Sequence, residues 1–259
     1  MLKIKQLKGR ANYEETLNKM NSKVLEVSEN IKNEEIWFLE HQKVYTAGSS
    51  TPKNFKLTKI NNIPVIFINR GGKITYHGPG QLIIYPILNL RKRRLNIIKY
   101  IDIIEKILIK IFKQNDIKLF TKKETNRGLW AKDQKIKKDK KIVFLGLRYS
   151  KGVVYHGISI NFDLPLENFR KINPCGLNAG QISSLTEMNI KFNKEKIVNR
   201  LPEMDVYGTV LARKNVEKQR QGPYAKSVPR NGRVWNSACT QKCRKSNCLG
   251  STRWNHMFL

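Results

Sequence analysis

The chain has 259 residues, 40% of them hydrophobic, which is enough for one large domain or two small ones that each bury a core. No run approaches the roughly 18 apolar residues of a membrane span, and the opening MLKIKQLKGRANYEE lacks the apolar core of a secretory signal, so a cytoplasmic chain with reduced thiols is expected. The formal charge of +30 invites a nucleic-acid or membrane reading, but the basic residues are scattered among Ile and Asn with no single block, which argues against both partners and for a diffuse field that steers acidic proteins.

In chain order, Tyr13, Leu17, Met20, Val24 and Val27 recur at helical spacing and predict an amphipathic first helix. EEIWFLEHQKVYTAG and IPVIFINR follow as strand-like runs that close on turn residues or glycine. The stretch RGGKITYHGPGQ, from Arg70 to Gln81, then reads as a ligand-holding loop. Gly71, Gly72, Gly78 and Gly80 permit positive φ and close approach, Pro79 stiffens the bend, and Arg70 and His77 supply polar contacts. QLIIYPILNL is another apolar strand, and Ile97, Ile101, Ile104, Leu108 and Ile111 mark a long second helix. KIVFLGLRY and VVYHGISINF, joined by Ser150, Lys151 and Gly152, predict a hairpin. Strands and helices in this order predict an α/β or α+β domain with a mixed β-sheet flanked by helices, over residues 1–200.

Composition changes near residue 200. The first 200 residues hold 28 Ile and residues 201–259 hold none, where the earlier frequency would give about eight. That tail carries 11 Lys+Arg against 3 Asp+Glu and three of the four cysteines, and shows no helical or strand period. It reads as an irregular or disordered basic segment that is not native to the fold. A zinc site from Cys239, Cys243, Cys248 and His256 is the alternative, but the C-x3-C-x4-C-x7-H spacing matches none of the usual paired frames, and no metal is expected.

Cys175 is the only cysteine before the tail and sits in INPCGLNAG, where Pro174 and Gly176 fix and expose the loop. A thiol is a useful nucleophile only as thiolate, so its pKa of roughly 8.5 has to be lowered by a nearby cation or base. Lys141, at the head of a hairpin strand, is one candidate for that group. His77 and His156, in the similar phrases TYHGPG and VYHGIS, are candidates for a Cys/His pair. The plainer readings are a buried small hydrophobe for the cysteine and solvated surface for the lysine.

FLEHQKVYTAG, RGGKITYHGPGQLIIYPILNL, RGLW, KIVFLGLRYSKGVVYHGISINFDL, FRKINPCG and ISSL resemble the successive motifs of the lipoyl(octanoyl) transferases, over roughly His41 to Leu185. The resemblance implies the lipoate/biotin protein ligase catalytic-domain fold. It also implies transfer of an octanoyl group from octanoyl-acyl carrier protein to a lysine of lipoyl domains in 2-oxoacid dehydrogenase complexes and of the glycine cleavage H protein. On this sequence the family's thioester cysteine falls on Cys175, and the lysine that lowers its pKa falls on Lys141. The acyl-binding segments fall on Arg70, Gly71, Gly72, Lys73, Ile74, Thr75, Tyr76 and His77, on Phe144, Leu145 and Gly146, and on Gly157, Ile158 and Ser159. An eight-carbon chain needs a narrow apolar slot with few polar contacts, which these glycine-interrupted strands suit. Thioester exchange is nearly neutral in energy, so no ATP and no other cofactor is implied, whereas the rival lipoate-protein ligase would need ATP. A lysine acting as base needs a depressed pKa and hence burial. Acyl carrier proteins and lipoyl domains are typically acidic, which suits the basic surface. The chain departs from the family in having Val143 and Phe144 after the lysine, where small residues are common, and Ala47 in place of the leucine of YTLG. The family's further helix after SL is also expected to give way to the foreign tail.

Overall fold

A computed structural model describes residues 2–122, 127–174 and 177–200, and both the tail 201–259 and Cys175 lie outside them. Among the described residues, eleven strands form two sheets. The larger runs in the order β1 (Lys3–Ala11), β2 (Glu35–His41), β7 (Gln81–Asn89), β11 (Val153–Asn161), β10 (Asp139–Ser150), β9 (Gly128–Lys132) and β8 (Leu119–Thr121). Its β1–β2 edge pair is parallel and all other pairs are antiparallel. The smaller runs β4 (Lys59–Ile60), β5 (Ile63–Phe67), β3 (Val44–Ala47) and β6 (Ile74–His77), with β3 parallel to β5 and antiparallel to β6. Mixed sheets with few helices agree with the expectation, but EEIWFLEHQKVYTAG is two strands. The chain breaks at Gln42 and Lys43 and crosses from the large sheet to the small one.

Helix α1 (Tyr13–Glu29) starts at Asn12, whose side chain accepts the Glu15 N–H at 3.1 Å, with Glu14 and Glu15 favouring the positive end of the helix dipole. Met20, Val24 and Val27 bury against Trp37, Leu39, Ile83 and Tyr85 of the large sheet. The more apolar α2 (Ile97–Lys113) is capped by Asn96 and covers the other face through Tyr100, Ile104, Leu108, Ile111 and Phe112. Helix α3 (Glu195–Arg200) follows the SL motif and adds Ile197 and Val198 to the same core, so, against the expectation, a further helix does follow SL, within the first 200 residues. A third cluster joins Tyr45, Ile74 and Tyr76 of the small sheet to Phe144, Leu164, Phe169, Ile172 and Ile182.

Two local irregularities interrupt the large sheet. The β7–β11 ladder is broken between Val154↔Leu88 and Ile158↔Ile84, where Pro86 has no N–H to give and His156 takes φ 56°. The β9–β10 ladder shifts register between Lys141 and Val143, a bulge of the kind that re-aims a side chain. The β10–β11 hairpin closes through Lys151 and Gly152, at φ 52° and 83°, the primed geometry that matches strand twist.

Candidate active site

Strands β6, β10 and β11 converge on a small, largely apolar cavity. Of the segments singled out in the sequence, Arg70, Gly71, Thr75 and His77, then Phe144, Leu145 and Gly146, then Gly157, Ile158 and Ser159 line it. Gly72, Lys73, Ile74 and Tyr76 do not. The reason is strand periodicity: Thr75 and His77 face the cavity, so Ile74 and Tyr76 face the other way, into the cluster with Phe169. Lys73 and Ile74 instead edge a separate groove shared with Leu57, Arg170 and Leu177. The RGGKITYHGPGQ stretch is therefore half loop and half strand. Of its glycines, only Gly72 and Gly80 take positive φ; Gly78 is needed for room, since a Cβ there would lie 2.5 Å from the Tyr76 hydroxyl.

Tyr13, Ile83, Tyr85 and His156 complete the lining. Tyr13 is legible in the sequence only as a core position of α1, and Ile83 and Tyr85 are hidden inside an apolar run. His156 stands out in the sequence, but as a base. Burial pushes Tyr13 up to about 12 and Tyr85 well above the usual phenol range, so both stay neutral. Thr75 Oγ1 and His156 Nδ1 are buried without a hydrogen-bond partner among the described residues, which suits a place built to take a ligand.

Arg70, 6% exposed, spends its guanidinium on the protein. Nη1 donates to the Gly71 carbonyl at 2.8 Å, Nη2 to the Thr46 carbonyl at 2.7 Å, and Nε and Nη2 to Thr46 Oγ1 at 3.2 and 2.9 Å. His77 lies between Thr46 Oγ1 at 3.3 Å and Gln81 Oε1 at 2.7 Å. Burial, aided by the positive potential of Arg70, holds it near 3, and burial holds His156 near 3 and His41 near 4. With both ring nitrogens engaged, His77 is poorly placed to be the base of a Cys/His pair.

Lys141 is third in β10 and 2% exposed, which meets the burial that a basic lysine needs and replaces the solvated-surface reading. Its Nζ lies 5.1 Å from the Phe144 ring centre and 5.6 Å from that of Trp130. Phe144 is also a cavity wall and stacks on Phe169 at 5.7 Å, so the amine stands one aromatic ring from the slot. The Lys141 carbonyl accepts the Ser183 N–H at 3.2 Å, which ties the bulge to the ISSL segment. On the approach to the cysteine, Pro174 and Leu177 are buried and the Leu177 N–H donates to the Pro174 carbonyl at 2.9 Å.

The family model for the lipoyl protein ligase A/B catalytic domain matches residues 12–203. The chain belongs to that family. Among curated relatives, the octanoyltransferase of Rickettsia massiliae (strain Mtu5) is 41% identical over 184 residues, covering 70% of this chain and 85% of that protein. The octanoyltransferases of Buchnera aphidicola (subsp. Acyrthosiphon pisum, strain APS) and of the Wolbachia of Brugia malayi (strain TRS) are 38% and 36% identical, covering 67% and 73% of this chain and 78% and 91% of theirs. Among solved structures, lipoate-protein ligase A bound with ATP superposes with a TM-score of 0.58 at 12% identity, over 83% of this chain and 95% of that one. P. falciparum LipL1 in complex with lipoate gives 0.58 at 15%, over 80% and 62%. The structural likeness establishes the lipoyl protein ligase fold, and the identity to octanoyltransferases is much the greater.

Proposed function

We propose that this family member is an octanoyltransferase that moves an octanoyl group from octanoyl-acyl carrier protein to a lysine of lipoyl domains, through a thioester on Cys175 with Lys141 as its acid and base. The observation that carries the reading is the shared wall: Phe144 lines the cavity on one side and faces the buried Lys141 amine on the other. The octanoyltransferase relatives support the same activity. The acceptors proposed are the lipoyl domains of 2-oxoacid dehydrogenase complexes and the glycine cleavage H protein, met in the cytoplasm.

In the resting pair Cys175 is thiolate and Lys141 ammonium. The thiolate attacks the carrier thioester carbonyl; the carrier sulfur leaves and takes the Lys141 proton, giving octanoyl-Cys175, a carrier thiol and a neutral Lys141. The acceptor ammonium passes one proton to Lys141, and the amine attacks the thioester. The amide nitrogen releases its second proton to water as the Cys175 thiolate returns. The octanoyl tail lies in the cavity against Phe144, Leu145, Ile158 and Ile83, and the fixed wall holds the thioester at the reacting atoms.

Intact-protein mass after mixing with octanoyl-acyl carrier protein tests this. Wild type is expected to gain one octanoyl group, Cys175→Ala none, and Lys141→Met to gain it at least about a hundredfold more slowly. A Cys175→Ser variant that still lipoylated an acceptor with ATP and free lipoate would overturn the transferase reading in favour of a ligase.

A further inference from the structure

From Arg70 a buried chain of hydrogen bonds runs to the backbone of Lys141, and every bond in it points the same way. Arg70 donates to Thr46 Oγ1; the Thr46 hydroxyl donates to His77 Nε2 at 3.3 Å; His77 Nδ1 donates to Gln81 Oε1 at 2.7 Å. Gln81 Nε2 donates to Asn161 Oδ1 at 2.8 Å, Asn161 Nδ2 to the Ser183 carbonyl at 3.1 Å, and the Ser183 N–H to the Lys141 carbonyl at 3.2 Å. Thr46, Gln81 and Asn161 have no solvent exposure, and none of the three lines the cavity.

The polarity is dictated from both ends. A guanidinium only donates, so the Thr46 oxygen accepts and its hydroxyl proton goes to His77 Nε2, which must be bare. A backbone carbonyl only accepts, so Asn161 turns its amide nitrogen to Ser183 and its oxygen to Gln81. Gln81 Nε2 also donates to the Tyr76 carbonyl at 3.4 Å, a third fixed acceptor that orients the same amide. The two ends meet at a neutral His77 carrying its proton on Nδ1, and the depressed pKa of that ring keeps it so. Bonds aligned in this way polarise one another, and a buried chain that loses one member leaves a donor or an acceptor stranded.

We infer that Gln81 and Asn161 are positioning residues: through the Ser183 backbone they fix the bulged register of β10 that aims Lys141, and they couple that aim to the Arg70–His77 wall of the acyl cavity. This rests on the transferase reading for the role of Lys141. Gln81→Glu and Asn161→Asp keep the shape and reverse one end of an amide, so that acceptor meets acceptor. Thr46→Val removes the hydroxyl at the other end, and Thr46→Ser restores it.

The test is the rate of octanoyl-Cys175 formation from octanoyl-acyl carrier protein, followed by intact mass on the full chain and normalised to the acylatable fraction. If wild type forms no adduct, or Cys175→Ala forms the same one, the transferase reading itself fails, independently of the chain. With wild type active, Asn161→Asp and Gln81→Glu are expected to lower the maximal acylation rate about tenfold with the half-saturating carrier concentration within about twofold, and Thr46→Val to be slow with Thr46→Ser restored to near wild type. Rates within about twofold of wild type in the two amide variants, or a Thr46→Ser as slow as Thr46→Val, would overturn the inference. If Asn161→Asp does not fold, the Thr46 pair decides.

Discussion

Gly128 and Lys141 are fitted to one another: a Cβ on Gly128 would lie 2.9 Å from Lys141 Cε and 2.2 Å from the Val143 carbonyl oxygen. Gly128 also holds φ +122°, outside the range of ordinary side chains. The glycine of RGLW thus makes room for the bulge and for the lysine stem at once.

Gly128→Ala should therefore cost stability, about 2 kcal/mol or more from backbone overlap and strain, and should slow acyl transfer beyond any loss of folded protein. Chemical denaturation gives the first and the rate per acylatable site the second. An alanine variant with wild-type rate would show that the lysine stem has slack.

Gly146 offers a milder change at the cavity wall. Its Cβ would stand 3.2 Å from Arg70 Cδ, which can shift slightly, so Gly146→Ala should fold and narrow the slot. Octanoyl transfer is expected to fall about fivefold and hexanoyl transfer by less, moving donor preference to shorter chains. Equal losses for both lengths would place the acyl tail elsewhere.

The three buried histidines predict acid lability. His77 and His156 at about 3 and His41 at about 4 lie below the ordinary value of 6.5, chiefly through burial. The unfolded chain then binds more protons than the folded one below pH 6.5. The stability held by the neutral rings is complete above that pH and is lost as pH falls toward 4, at up to about 4 kcal/mol per pH unit for three groups together. Melting temperature measured from pH 8 to 4.5 should fall steeply below 6.5, and a folded His41→Gln should fall less steeply. A flat profile would contradict the burial.

Helix α3 sends Ile197 and Val198 into the main core, which places the end of the packed domain at or beyond residue 200. Truncation after residue 203, where the family match ends, is expected to leave the melting temperature within a few degrees and acyl transfer unchanged. Clear destabilisation would assign residues 204–259 to the fold.

Helices α1 and α2 were legible because their apolar residues recur at the helical period, and β7 because it is a nearly continuous apolar run, buried on both faces between α1 and α2. Strand β1 was not, since KIKQLKGRA is exposed along almost all its length and joins the sheet by backbone pairing to β2 with little burial to pattern it. The split between β2 and β3 falls in the polar run Glu40, His41, Gln42 and Lys43, but nothing local in that run says that the chain changes its partner strand there. At the site, motif resemblance named contiguous segments, and strand alternation then chose Thr75 and His77 over Ile74 and Tyr76. Arg70 was legible as a polar residue of the glycine stretch and does line the cavity, but its bonds to the Gly71 and Thr46 carbonyls and to Thr46 Oγ1 carried no sequence signal. Tyr85 and Asn161 carry no local signal, and Gln81 only that of closing the glycine stretch, since what matters is which residues lie across the sheet.

Pro86 in the middle of β7 leaves neighbouring backbone unlaced, and the cavity opens beside that gap, next to His156 and Gly157. Main-chain geometry thus shapes one side of the slot, beside the side chains of Ile83, Tyr85 and Phe144. Cargo length could then drift in evolution through substitutions at the proline or its facing residues, while the lysine and cysteine stay untouched.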